Sequence, residues 1–426
     1  MLGIVLGLIV LMSLAYIGWS ILWVAPIAAG VVALTGGLDL LDAYTDTYMG
    51  GFVDFAKAWF PVFMLGAIFG KLMEDTGMAR SVALALTKVI GTKRAILGVI
   101  VSSAVLTYGG VSLFVVVFAV YPLALTLFKE ANISRKLIPG TVALGAFTFT
   151  MTALPGTPQI QNLIPMEYFN TSATAAPIMG IIATLVMAVG GYLYLRWQEN
   201  VRRNRGEEYT EPEKAVTTDD SKPPHFILSI LPLLAVLVTL NILGWDIVVA
   251  LLSGIILIMV LNAHKVKKFV KAINDGAVGS VTAIINTSAA VGFGTVVKAV
   301  PGFDKLTELL LGIKGNPLIS EAVAVNILAG ATGSASGGMG IALEALGSKY
   351  YEIALESGMS PEVFHRVASL ASGGLDTLPH NGAVLTLLTI TGMSHRDSYK
   401  DIFVVAVLLP VISVIIAILF STIGIY

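Results

Sequence analysis

The stretch that decides the fold is Thr152-Ala153-Leu154-Pro155-Gly156-Thr157-Pro158-Gln159-Ile160-Gln161-Asn162, set in the middle of a long apolar run, 137–164. Proline removes a backbone donor and clashes with the preceding helical turn, so two prolines around a glycine unwind the helix at mid-run. Thr157 is placed to cap a restarted helix with Pro158 at its first position, where proline is favoured. The theme returns in Gly373-Gly374-Leu375-Asp376-Thr377-Leu378-Pro379-His380-Asn381-Gly382, with Asn381 as the expected cap. Thr157 and Asn381 lie 224 residues apart, and so do Ser112 and Ser336.

Around these breaks the chain is built for lipid. Hydrophobic residues make up 56% of it and charged residues 12%, half the share, roughly 25%, that covers a soluble domain. With no cysteine there are no disulfides, thiolate metal sites or cysteine nucleophiles. A net charge of −1 gives no reason to expect a nucleic-acid partner. The N-terminus has no basic leader ahead of its apolar run and reads as a retained first span. A membrane span needs about 20 apolar residues. Ten segments qualify, near 1–18, 20–36, 54–74, 137–164, 174–196, 226–242, 246–262, 276–297, 361–390 and 401–424. Two further runs, 95–128 and 318–346, are too long for one span. They are interrupted by Thr107-Tyr108-Gly109-Gly110-Val111-Ser112 and by Gly330-Ala331-Thr332-Gly333-Ser334-Ala335-Ser336-Gly337-Gly338. Each reads as a re-entrant hairpin, with Ser112 and Ser336 as the expected N-caps of the returning limbs and two short ordinary spans as the alternative.

Residues 198–224 are polar and charged and read as a flexible linker between halves 1–197 and 225–426. Placing that linker in the cytoplasm puts most of the 26 Lys and Arg on the same side, as the positive-inside rule asks, and leaves both termini outside. Identities at the offset of 224 fall on both hairpin tips and both interrupted spans: Phe69-Gly70 with Phe293-Gly294, Gly109 with Gly333, Leu154-Pro155 with Leu378-Pro379. Each half then holds five spans and one hairpin, and an odd number inverts the second copy. The expected fold is an all-α polytopic membrane protein with two inverted repeats of five transmembrane helices, each carrying a re-entrant hairpin and a broken helix.

Four helix N-termini are thereby expected near the membrane midplane. Their free N–H groups and positive dipole ends suit a carboxylate, with Ser, Thr and Asn side chains to recognise hydroxyls. Prolines and glycines that merely kink packed helices are the bland alternative, weakened by the symmetry of the four sites. Asp376 and His380 flank one break and are the candidates for exchanging a coupled proton, since intramembrane ionisable groups default to function and histidine titrates near neutrality. For His380 a simple interhelical hydrogen bond competes with that role. Glu321 and Glu344, on the limbs of the second hairpin, rank below Asp376.

At these breaks, and in Phe63-Met64-Leu65-Gly66-Ala67-Ile68-Phe69-Gly70-Lys71-Leu72-Met73-Glu74-Asp75-Thr76-Gly77 and Gly333-Ser334-Ala335-Ser336, the chain resembles the gluconate:proton symporter (GntP) family of the wider ion-transporter superfamily. The resemblance implies proton symport of a small hydroxymonocarboxylate such as gluconate or 3-hydroxybutyrate in a bacterial inner membrane. It implies a substrate site at Gly110, Ser112, Thr157, Ser334, Ser336 and Asn381, the positions matching the family's break regions. Gluconate carriers of the family have a Pro-His-Pro-Gly-Pro-like run where this chain has Leu154-Pro155-Gly156-Thr157-Pro158, so a smaller or less hydroxylated acid fits at least as well. Homodimerisation is an expectation from the superfamily alone. No cofactor is expected beyond the coupling ion, a proton, with sodium the main rival. An intramembrane serine hydrolase using Ser336 and His380 is a remote alternative, because Ser112 has no catalytic partner in its own half. A channel is a third class, and no ATP-binding loop suggests primary pumping.

Overall fold

The computed structural model describes residues 1–212, 222–311, 316–379 and 381–426, and every regular element among them is helical. The helices are α1 (Leu2–Tyr16), α2 (Ile21–Gly36), α3 (Leu40–Asp75), α4 (Met78–Ile90), α5 (Ala95–Tyr108), α6 (Leu113–Glu130), α7 (Ile138–Ala146), α8 (Ile160–Phe169), α9 (Pro177–Asn204), α10 (Phe226–Asn241), α11 (Ile247–Leu261), α12 (Val266–Ala299), α13 (Gly302–Leu311), α14 (Pro317–Thr332), α15 (Ala335–Ser357), α16 (Pro361–Ser372), α17 (Gly382–Thr391) and α18 (His395–Thr422).

Both long interrupted runs are helical hairpins, α5–α6 and α14–α15, and both broken runs are helix pairs, α7–α8 and α16–α17. The succession of long helix, short helix, hairpin, interrupted helix and long helix over α3–α9 recurs over α12–α18. Four helices are each long and apolar enough to cross a membrane: Leu40–Asp75, Pro177–Asn204, Ala263–Ala299 and His395–Thr422. Several expected spans are shorter. At 1.5 Å per residue the 15-residue α1 reaches only about 22 Å of a roughly 30 Å hydrocarbon core. Trp19 and Ile21, at the α1–α2 turn, line an internal cavity, so this pair ends at the depth of the breaks.

Two short helices, α4 and α13, were not among the expected elements. Alpha4 turns by 100° against the segment Thr92–Tyr108 that follows it, so it lies across the hairpin. The linker boundary also moves. Alpha9 continues to Asn204, past residue 197. Residues 205–211 are docked: Glu211 pairs with Lys129, the Arg135 Nε donates to the Thr210 hydroxyl at 3.2 Å, and the Tyr209 N–H donates to Asn132 Oδ1 at 3.1 Å. The rest of the expected linker, 213–221, lies outside the described residues.

Alpha3 and α12 form the most extensive helix pair, and glycine sets their approach. A Cβ on Gly276 would stand 2.7 Å from the Ile68 Cα and 3.0 Å from its N, both backbone atoms that cannot swing away. Small residues at such crossings let dispersion contacts replace the hydrophobic drive that lipid does not supply. Gly279, one turn on, meets nothing within 4 Å. Gly276→Leu is therefore expected to cost about 1–3 kcal/mol or more by overpacking and to lower the melting temperature in detergent. Gly279→Leu, on the same helix, leaves that temperature unchanged or raised; equal losses in both would remove the packing argument.

Candidate functional site

Each broken run leaves backbone groups that lipid cannot satisfy, and the chain supplies partners for them. At the first break a single turn, Phe149–Thr152, is followed by unwound chain to Ile160. Gly156, at φ +79, donates its N–H to the Ala173 carbonyl at 2.8 Å. Thr157 is fully buried, and its hydroxyl donates to the Thr150 carbonyl at 2.8 Å. It is not the expected cap, because the helix restarts three residues later with Gln159 in the capping position. The Gln159 amide instead donates to the Thr107 carbonyl at 2.7 Å, and the Tyr108 hydroxyl donates to the Pro155 carbonyl at 2.9 Å. These two bonds fasten the first hairpin tip to the first break. Gly110, at φ +95, sits against the Pro158 ring.

A second set of partners comes from α16, in the other half of the chain. Arg366 is fully buried. It donates to the Ala175 carbonyl from Nη2 at 2.7 Å and from Nε at 3.1 Å, and to Asn162 Oδ1 from Nη1 at 2.8 Å. The Asn162 amide donates to the carbonyls of Thr157 at 3.0 Å and Ala173 at 2.8 Å. His365 bridges the Thr171 hydroxyl at 2.6 Å and Asn162 Oδ1 at 3.3 Å. Glu362 accepts from the Ala176 N–H at 3.0 Å, where φ is +42. This clamp was missed from sequence, although Glu362, His365 and Arg366 stand inside a run counted as a span. Three ionisable residues in five positions of such a run were the available signal.

The second break is simpler. Leu375–Thr377 forms one tight turn. Asn381 caps α17 as expected, accepting from the Val384 N–H at 2.9 Å. Its amide donates to the carbonyls of Gly333 and Asp376, each at 2.9 Å, so the second hairpin tip is also fastened to a break. At that tip Ser334, not Ser336, is the cap: its hydroxyl accepts from the Gly337 N–H at 3.1 Å. Ser336 lies in the first turn, with its hydroxyl 3.4 Å from that of Thr287 and 3.5 Å from that of Ser334. Ser112 holds the N-cap position of α6 but makes no side-chain cap bond.

These pieces surround a cavity of about 360 Å³. The starts of four helices reach it: Leu113 of α6, Gln161 of α8, Ala335 and Ser336 of α15, and Gly382 and Ala383 of α17. Of the expected site residues, Ser334, Ser336, Asp376 and Asn381 line it, whereas Gly110, Ser112 and Thr157 do not. His380 lies outside the described residues. Sequence reasoning did not single out Gln161, Asn286 and Thr287, which also line it. Three buried oxygens of its lining residues, Asp376 Oδ1, Asn286 Oδ1 and Gln161 Oε1, have no hydrogen-bond partner among the described residues. The cavity thus combines backbone donors at helix starts, hydroxyls, and acceptors in need of donors. Two larger cavities, about 840 and 610 Å³, reach none of these four helix starts, so the chemistry of the smaller one marks it as the candidate site.

A polytopic all-helical chain whose interrupted helices meet at one cavity has the architecture of a membrane transporter, and the known proteins it is similar to are transporters and permeases, not enzymes. The GntP family permease model matches residues 1–243, and the chain belongs to that family. The Na+/H+ antiporter family model matches residues 166–425. Among relatives, the uncharacterized transporter YxjC of Bacillus subtilis (strain 168) is 42% identical, with 95% of each chain covered. An uncharacterized transporter of Haemophilus influenzae is 23% identical over 78% of this chain and 77% of its own. The fold is similar to that of the Alcanivorax borkumensis YdaH transporter, whose crystal structure is described as having an unusual topology. The TM-score is 0.61, with 15% identity over 91% of this chain and 90% of that one.

The clamp at the first break makes a sharp prediction. Arg366→Met strands the Ala175 carbonyl, at about 1–3 kcal/mol for a buried unsatisfied group, and leaves Asn162 Oδ1 with His365 alone. The variant is expected to lose folded yield and melt earlier. Arg366→Lys keeps the charge without the planar fork and falls between the two. A wild-type melting temperature for Arg366→Met in detergent would dismiss the clamp.

Proposed function

We propose that this permease takes up a small hydroxymonocarboxylate by proton symport through alternating access, with the 360 Å³ cavity as its substrate site. One observation carries the reading: four helix starts and three unpaired buried oxygens share that cavity. A carboxylate suits the N–H groups and positive ends of the helices. The same ligand must also donate, because Asp376, Asn286 and Gln161 present acceptors, and hydroxyl groups do so. Ser334, Ser336 and Thr287 serve either need. The volume is at the small end of ligand pockets, about 300–1,000 Å³, which favours a short acid over an extended one.

Asp376 is the proposed proton carrier, with His380 beside it in sequence. A protonated Asp376 donates to the bound anion and offsets its charge; an ionised one leaves a negative group in the apolar interior, which favours reloading. The two halves are proposed as inverted repeats in a bacterial inner membrane, with the basic loops and the linker in the cytoplasm and both termini outside. Charge on the two short helices supports this. Alpha4 carries Arg80 and Lys88, while α13 carries Lys305 alone, with Asp304 at the position matching Arg80, so the basic residues favour the first copy's face as the cytoplasmic one.

Sodium is the second reading, favoured by the same acceptor oxygens and by the antiporter family match over 166–425. Proteoliposomes decide. Labelled 3-hydroxybutyrate or gluconate is expected to accumulate under an imposed inward proton gradient in sodium-free buffer, and to stop when a protonophore is added. Accumulation driven only by a sodium gradient replaces the proton, and gradient-independent equilibration rejects coupling altogether. Asp376→Asn is expected to abolish gradient-driven accumulation while substrate exchange persists. Ser336→Ala is expected to weaken apparent affinity about threefold to tenfold, the worth of one neutral hydrogen bond, with folding unchanged.

A further inference from the structure

The cavity of about 840 Å³ lies between α4, α6 and the first turns of α12. Its walls are largely carbon: Leu84 from α4, and Phe118, Leu123 and Leu127 from α6. Phe118 is 53% exposed, so the groove opens on the outside of the molecule, where a membrane-spanning chain meets acyl chains. Its rim carries Lys267, Lys268 and Lys271 on successive turns of α12, with Arg80 opposite. Glu74 and Asp75 also reach the rim but are held by Lys71, at 3.2 and 3.0 Å. The three α12 lysines are exposed, and none belongs to an ion pair among the described residues. A second apolar cavity of about 610 Å³ shares Leu84, Thr87 and Leu127 and runs on to Lys88.

A soluble anion would use the cations here but not the carbon of Leu84, Phe118, Leu123 and Leu127 beside them. Free lysines in water would need no apolar trough beneath them. Both features are used at once by a molecule with a phosphate at one end and hydrocarbon at the other. The 100° turn between α4 and the following segment sets α4 across the hairpin, as a helix at the headgroup level lies. Basic pockets between membrane helices favour anionic headgroups, each Lys or Arg contributing about 1 kcal/mol or roughly fivefold in affinity. On α13 of the second half, Asp304 stands at the position matching Arg80 and Glu308 at that matching Leu84.

We propose that the groove between α4, α6 and α12 is a binding site for one anionic phospholipid, its phosphate against Lys267, Lys268 and Lys271 and its acyl chains along Phe118, Leu123 and Leu84. The site is independent of which substrate and ion the permease carries. The full-length protein in detergent is titrated with phosphatidylglycerol, with phosphatidylcholine and with inorganic phosphate, reading the melting temperature and the lipids retained in native mass spectra. Phosphatidylglycerol alone is expected to raise the melting temperature and to stay bound. The K267Q/K268Q/K271Q variant is expected to weaken its apparent affinity roughly fivefold per lysine. Ala119→Trp, which fills the groove without changing charge, is expected to lose the same retention. K93Q/R94Q, exposed basic residues beyond the groove, is expected to keep it. Retention unchanged in both the triple-lysine and the Ala119→Trp variants overturns the proposal. So does an equal shift from inorganic phosphate, which would mark a site for a soluble anion.

Discussion

The whole arrangement depends on one constraint: a helix interrupted inside an apolar interior must find partners for the peptide groups it releases. This chain meets it with side-chain amides, hydroxyls and a guanidinium from neighbouring elements. Because those groups come from elsewhere in the sequence, closing a break also ties the halves together. Alpha8 packs on α15 and α16, and α17 packs on α6 and α7. Each half thus packs against the interrupted helix of the other, while hydrogen-bond partners cross from the second half to the first break, and the cavity forms where the two exchanges meet.

The closures are unequal. The first break is held by a buried cation with Asn162, His365 and Glu362 around it. The second is held by Asn381 at two carbonyls and one N–H, by Asn326 at the Leu375 N–H, by Tyr399 at the Thr377 carbonyl and by His395 at the Pro379 carbonyl, with no arginine among the described residues that close it. Buried polar networks rigidify when every member is satisfied. The first break, closed by a buried guanidinium that reaches across from the other half, is therefore the wall of the cavity tied most firmly to both halves.

What the sequence discloses, and what it conceals, follows from the range of the interactions. Prolines and glycines act locally, so Pro155-Gly156, Gly109-Gly110 and Gly333 marked both breaks and both hairpin tips correctly. Capping depends on a few residues of geometry, and there the reading slipped: Ser334 took the role expected of Ser336, and Thr157 turned inward to Thr150 while the helix began at Ile160. Long-range partners were least legible. Nothing near Arg366 in the sequence says that it meets Ala175, although a full charge in an apolar run announces that something must meet it. Alpha4 and α13 were hidden because 13 and 10 residues of mixed polarity look like loop when the search is for spans.

The exchange between halves also bears on how the protein is made. Membrane helices enter the bilayer in the order of their synthesis. The carbonyls at the first break therefore wait 191 to 217 residues for Arg366 and Ser369 to be translated. Until α16 arrives, the newly inserted first half holds the Ala175 and Thr152 carbonyls without these partners. Final closure of the first break is thus a late step of biogenesis, taken only when the second half has docked.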